Sequence, residues 1–362
     1  MKKKSLLWIG LAILILMFSL MGCTGLFPGP EEDKDKNGEA PTEKVRVYLL
    51  TQPYGNVQGS IAILNPETNE IGAPVPTKGT IPNTIKVYNG KGYIANSGSH
   101  DVQIFNPNDL SDLGTIVTGD GSGSGTGGNP WDIVFFGSKA YVSNNIDADG
   151  NGDHTVSVAD LSTDKVTSQI SGWTTKPSNM LVLGDKLYVS SGVNPDYTYG
   201  QGTVTVIDTN SSSVVATINV GVNPGEIAVD KDGEIHVVCT GDYITVSGKV
   251  SVINPANNTV KATINIGTSV SSIAISPDNK IYVSGGFGAG TYSYSATNET
   301  DSTTVTSIGS LSGNGGNIAI SKAGMAYIAD QGSDKLYILN TSNDTLIKTL
   351  DVVKAYKVWI EE

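Results

Sequence analysis

The chain has 362 residues, with Lys+Arg 23 against Asp+Glu 35, a formal net charge of -12, 16% charged residues, 43 Gly and 2 Cys. Two cysteines cannot staple a disulfide-rich scaffold, and a net negative chain without a basic block excludes nucleic acid as a partner, since phosphate neutralisation needs Lys and Arg. Low charge with abundant β-branched residues, Ser and Gly argues against disorder and for a turn-rich all-β fold.

The chain opens on Met1-Lys2-Lys3-Lys4, a positive segment, followed by an apolar run over residues 6–20. That run is shorter than the roughly 20 residues of a spanning helix and fits a secretory signal. It ends in Leu20-Met21-Gly22-Cys23, which resembles the bacterial lipobox. The resemblance implies that residues 1–22 are a lipoprotein signal peptide and that Cys23 is lipidated, becoming the new N-terminus. Two or three acyl chains anchor stably where one does not. Thr24 follows the cysteine where an Asp would signal inner-membrane retention, so the expected location is extracytoplasmic, at the outer membrane or cell surface. Residues 23–44 carry Pro28, Pro30, Pro41 and the run Glu31-Glu32-Asp33 without any period, and read as a flexible acidic tether.

From residue 45 onward the chain repeats. Tyr93-Ile94-Ala95-Asn96, Tyr141-Val142-Ser143-Asn144, Tyr188-Val189-Ser190-Ser191, Tyr282-Val283-Ser284-Gly285 and Tyr327-Ile328-Ala329-Asp330 are one motif, with Tyr48 opening a looser copy and His236 in the Tyr place of the fifth. Successive spacings from Tyr48 to Tyr327 are 45, 48, 47, 48, 46 and 45 residues. Each unit holds four short β-runs. The first carries the Tyr motif, and the second reads like Thr203-Val204-Thr205-Val206-Ile207-Asp208. The third resembles Val214-Val215-Ala216-Thr217-Ile218, and the fourth resembles Glu226-Ile227-Ala228-Val229. Four strands per unit repeated seven times predict an all-β, seven-bladed β-propeller of four-stranded antiparallel blades over 45–362. The motifs resemble the YVTN-repeat (YncE-like) propellers, a likeness specific for fold and weak for function. The first unit lacks a preceding strand and the last has a spare one over 355–360. This predicts a 3+1 seam, with the C-terminal strand innermost in the first blade.

Residues able to carry chemistry are few. His100 and His154 fall in expected loops, and His236 falls on a strand as a packed core histidine. No His or Cys spacing suits zinc, copper or haem. Cys239, in Ile235-His236-Val237-Val238-Cys239, reads as a buried thiol. The glycine-rich stretch 121–128 precedes no helix that would aim amides at a phosphate. Asp147-Ala148-Asp149-Gly150-Asn151-Gly152-Asp153 opens like a calcium loop, with Asp147, Asp149, Asn151 and Asp153 as ligands and calcium as the one candidate cofactor. It lacks the bidentate Glu of an EF-hand, because Val158 stands at the twelfth position.

No catalytic residue set can be assembled. The expected function is therefore that of an anchored binding module, a monomer reaching the membrane through its lipid and presenting one face to a small molecule such as a corrinoid, a glycan or a protein. An extracytoplasmic lactonase or lyase, and a cell-envelope adhesion protein, are the alternatives. Antiparallel blades alternate their connections between two ends. The turns from fourth to first and second to third strand are short, and those from first to second and third to fourth are longer. The longer set carries Tyr54, Trp131, Trp173, Tyr197, Tyr199 and Tyr243, which become the candidate ligand-binding residues, because binding groups concentrate on loops held by a rigid scaffold.

Overall fold

The computed structural model describes residues 45–118, 128–145, 154–285, 288–297, 299–313 and 315–362. Residues 1–44, with Cys23 and the tether, and residues 146–153, with the calcium-type loop, lie outside the described residues. So does most of the glycine-rich stretch. The unit spanning Lys44–Glu362 forms seven four-stranded antiparallel sheets. The fourth run of each sequence unit pairs with the Tyr strand of the next and becomes its inner strand, as Pro82–Tyr88 does with Lys91–Asn96. The seven inner strands pack around a common channel.

The ring closes as the repeat count requires. Arg46–Thr51 pairs with Ala355–Glu361 from Arg46↔Glu361 to Thr51↔Ala355. Blade 1 thus reads Ala355–Glu361, Arg46–Thr51, Gln58–Leu64, Val75–Thr80 from the inside out. Arg46 Nη1 to Glu361 Oε2, at 3.2 Å, pins the two ends of the propeller together.

Hydrophobic burial sits between blades. Seven apolar clusters occupy the seven blade-to-blade interfaces. The Tyr motif explains itself there. Residues i and i+2 of a strand share a face, and in this strand that face meets the next blade. The buried Tyr141 hydroxyl donates to the Thr209 carbonyl at 3.2 Å, and that of Tyr282 donates to the Thr341 carbonyl at 3.0 Å. Two residues on, the Ser143 hydroxyl donates to the Ser178 carbonyl at 2.6 Å, and that of Ser190 donates to the Gly225 carbonyl at 2.9 Å. Tyr-x-Ser is therefore an inter-blade latch. The tyrosine fixes the neighbour's outer turn and the serine fixes its inner strand.

Three expectations need correction. His154 is not a loop residue: it opens the strand His154–Asp160 and is 2% exposed, because the pairing of that strand with Lys139–Asn144 and Lys165–Trp173 extends to the end of the ladder. The contrast between the two ends is also narrower than the repeats suggest. Connections 65–74 and 296–305 are long on the short-turn face, and 97–100 and 331–334 are tight on the other. Tyr199, expected in a longer connection, opens the strand Tyr199–Asp208, which leaves 194–198 as the connection.

Candidate functional site

The long-loop face keeps a set of tyrosines in water. Among the described residues the exposed aromatics are Tyr54, Tyr197, Tyr199 and Tyr243; Tyr54, Tyr197 and Tyr243 lie in connections between a Tyr-motif strand and the strand that follows it, and Tyr199 opens such a following strand. Tyr199 of blade 4 and Tyr243 of blade 5 meet edge to face with ring centroids 5.7 Å apart. Ile244 beside them is 88% exposed.

Their loops are held stiffly. Tyr197 and Tyr243 both sit at φ 64, in the left-handed region that costs a non-glycine residue about 1–2 kcal/mol. Acidic turn caps hold them there. Asp196 Oδ1 accepts the Thr198 amide at 3.0 Å, and Asp242 Oδ1 accepts the amides of Ile244, Thr245 and Val246 at 2.9, 2.7 and 2.7 Å. Bonds from the Thr245 hydroxyl and these amides hold the Asp242 carboxyl well below the usual carboxylate range. At the base of that loop Gly241, at φ +87, lies so near the Val246 carbonyl that a Cβ would fall 1.9 Å from its oxygen. Lysines back two of the rings. Lys176 Nζ lies 2.9 Å from the Tyr197 centroid and Lys354 Nζ lies 4.7 Å from that of Tyr54. Lys176 is 3% exposed and its ammonium has no hydrogen-bond partner among the described residues, so the Tyr197 ring is its counter-group. Burial pulls its pKa down, with the Asp196 charge opposing.

The two tryptophans go elsewhere. Trp131 lies in the inner strand Pro130–Phe136 and lines the channel. Trp173 ends the outer strand Lys165–Trp173 and packs against the apolar cluster between blades 3 and 4. Cys239 is 1% exposed, and burial pushes its thiol up to about 11, against a contact with the Ser251 hydroxyl at 3.7 Å.

Sequence reasoning missed the channel. Equivalent positions of the seven inner strands bring Thr84, Asp132, Asn179, Glu226, Ser272, Asn317 and Lys357 into one polar belt. Its charges are matched. Lys86 Nζ lies 2.8 Å from Asp132 Oδ1, and Lys357 pairs with Glu226 Oε1. Asp132 Oδ2 also accepts the Met180 amide at 2.9 Å. Glu226 Oε2 accepts the Ser272 hydroxyl at 2.5 Å and the Ile273 amide at 3.2 Å, and Oε1 accepts Asn317 Nδ2 at 2.9 Å. The belt separates a cavity of about 170 Å³ on the long-loop side, lined by Trp131 and Tyr356, from one of about 510 Å³ on the short-turn side. The larger one is walled by Phe135, Leu181, Val182 and Trp359. The signal was legible in principle, since aligning the fourth runs of the repeats puts these seven residues in one column.

No family model and no curated protein sequence matches this chain. Solved structures do. A candidate 6-phosphogluconolactonase from Bacteroides fragilis aligns with TM-score 0.66 at 17% identity, over 90% of this chain and 100% of that one. One from Bacteroides uniformis gives 0.66 at 15%, over 88% and 100%. Kuenenia stuttgartiensis hydrazine synthase gives 0.62 at 16%, over 76% and 88%. At these identities the likeness carries the fold and no activity. The protein is a seven-bladed β-propeller of four-stranded blades, shared in fold with proteins of different names and chemistries.

Proposed function

We propose that this protein is a lipid-anchored, extracytoplasmic binding module whose long-loop face receives a ligand with a flat apolar side, a sugar ring or a corrin-like macrocycle. The observation that carries this reading is the confinement of every exposed aromatic among the described residues to that one face. Stacking on a pre-set aromatic is a cheap source of affinity, because a tyrosine has few rotatable bonds to freeze. The channel gives catalysis less support. Asp132 and Glu226 each face a lysine and accept backbone amides, so neither is a free general base. A small molecule held in the short-turn cavity is the second reading, favoured by its volume of about 510 Å³, within the usual range for ligand pockets.

Binding of the full-length chain to a glycan array and to cobalamin, in detergent, separates the two. Tyr199→Ala with Tyr243→Ala weakens capture by roughly 5- to 150-fold per lost stacking contact of ~1–3 kcal/mol, while Leu181→Trp, which fills the cavity, leaves it unchanged. The reverse pattern assigns the ligand to the channel. Unaltered binding in both variants overturns the face assignment.

Anchoring rests on Leu20-Met21-Gly22-Cys23. Cys23→Ser expressed in a bacterial host moves the protein from detergent-extracted membranes to the soluble fraction and abolishes palmitate labelling. Labelling that persists in this variant sinks the lipoprotein reading.

A further inference from the structure

The interface between blades 5 and 6 departs from the Tyr latch. His236 stands in the Tyr place of blade 5, and its Nδ1 lies 2.9 Å from the hydroxyl oxygen of Tyr294 in blade 6. The connection 296–305, as long as 65–74 and longer than its other counterparts, carries Glu299 inward against it. Asp230, from the turn before the His236 strand, completes the group. The side chains of Asp230, His236 and Glu299 are 0%, 0% and 1% exposed.

Each of these groups is anchored by one atom and presents another. Asp230 Oδ1 accepts the amides of Asp232 and Glu234 at 2.9 and 2.8 Å, and its Oδ2 faces His236 Nε2 at 3.2 Å. Glu299 Oε2 lies 3.5 Å from Lys261 Nζ, and its Oε1, 3.6 Å from Nε2, has no hydrogen-bond partner among the described residues. Lys261 is engaged mainly elsewhere, at 2.7 and 2.8 Å from the Glu234 oxygens. The three presented atoms lie within 4.8 Å of one another.

We propose that Asp230, His236 and Glu299 form a binding site for a first-row divalent cation of the zinc or manganese kind. Metal–ligand bonds of about 2.0–2.2 Å place neighbouring donors ~3–3.6 Å apart, the separations seen around Nε2. One imidazole with two carboxylates suits these ions rather than the all-oxygen shells of calcium or magnesium. With Nε2 on a cation, Nδ1–H donates to the Tyr294 oxygen, the outer contact that commonly fixes a ligating histidine. The alternative, an imidazolium bridging two carboxylates, leaves Glu299 Oε1 beyond hydrogen-bond reach. A buried carboxylate oxygen without a partner is costly, and a cation removes that cost.

The test uses the full-length chain stripped with chelator and titrated with zinc and with manganese by calorimetry, alongside Glu299→Gln, His236→Gln, Tyr294→Phe and Asp147→Ala/Asp149→Ala. The expected result is one equivalent bound. Glu299→Gln, nearly isosteric and scored only after its circular dichroism matches the parent, weakens binding by more than about 100-fold. Tyr294→Phe weakens it by the ~10–100-fold of an outer contact, and the Asp147/Asp149 variant binds as the parent does. In the cobalt(II) form, visible bands appear that Glu299→Gln loses. Absence of binding up to about 1 mM metal overturns the proposal. So does binding that survives unchanged in both Glu299→Gln and His236→Gln, or that disappears with Asp147 and Asp149.

Discussion

A chain ending at Leu350 does not fold cooperatively at the temperature where the full chain is native. In an open repeat array, losing a terminal strand removes one interface and leaves the rest standing. Here the last strand, Ala355–Glu361, is the inner strand of the first blade and pairs with Arg46–Thr51 along its length. Its loss strips Val352, Ala355 and Val358 from the cluster between blades 7 and 1, leaves the Arg46–Thr51 edge unpaired, and removes Lys357 from the belt. Burial of an aliphatic side chain contributes about 1.5–3 kcal/mol and each ladder hydrogen bond about 0.5–1.5 kcal/mol. The sum is of the order of the whole ~5–15 kcal/mol stability of a domain. Calorimetric melting of the truncated chain checks this, with removal of Glu362 alone as control. Partial recovery on adding a peptide of residues 352–362 is expected, since a strand can enter an open edge in trans. A truncated chain that melts at the full-length temperature would show that the ring closes without this strand.

What the sequence disclosed and what it hid divide along a physical line. Tyr93, Tyr141, Tyr188, Tyr282 and Tyr327 recur because each solves the same local problem, filling the apolar interface between two blades, and a repeated problem leaves a repeated residue. The seam at 355–361 followed from counting strands. The belt did not, because Asp132, Glu226 and Lys357 occupy equivalent places with different side chains. Their meaning lies in the charges they exchange across the channel, between positions such as 226 and 357 that are remote in the chain. Trp131 shows the same limit. As the end of a glycine-rich stretch it looked like a loop residue, yet Pro130 already begins the inner strand and turns the indole toward the channel. His236 was legible as a core residue. That Glu299, from another blade, turns its Oε1 toward the ring was not, since the contact joins positions 63 residues apart and no repeated motif marks it.

Replacing Lys357 with Met, close in length but uncharged, costs the protein about 3 kcal/mol, the low end of the ~3–5 kcal/mol for breaking a buried pair. The low end applies because both side chains retain slight exposure, 17% and 16%. The loss arises from what is left behind. Glu226 keeps its bonds from Ser272, Ile273 and Asn317, which tie blade 5 to blades 6 and 7, but loses the countercharge from blade 1. Glu226→Gln in the same chain should recover most of the deficit, since a neutral amide needs no countercharge, and a double-mutant cycle reads the coupling directly. The pH dependence carries the sign. Burial is the largest influence and works against the Lys357 ammonium, but Glu226, Tyr356 and Asp132 together outweigh it and hold its pKa above the ordinary lysine value. Stability from a raised lysine is fully present below its unfolded pKa of about 10.4 and is lost as pH rises through the folded value. The parent should therefore lose stability above about pH 10.4 more steeply than Lys357→Met, and the two melting curves should converge on the alkaline side. A constant gap between them across that range would mean that the methionine acts through packing, and that the charge pair does not hold the channel together.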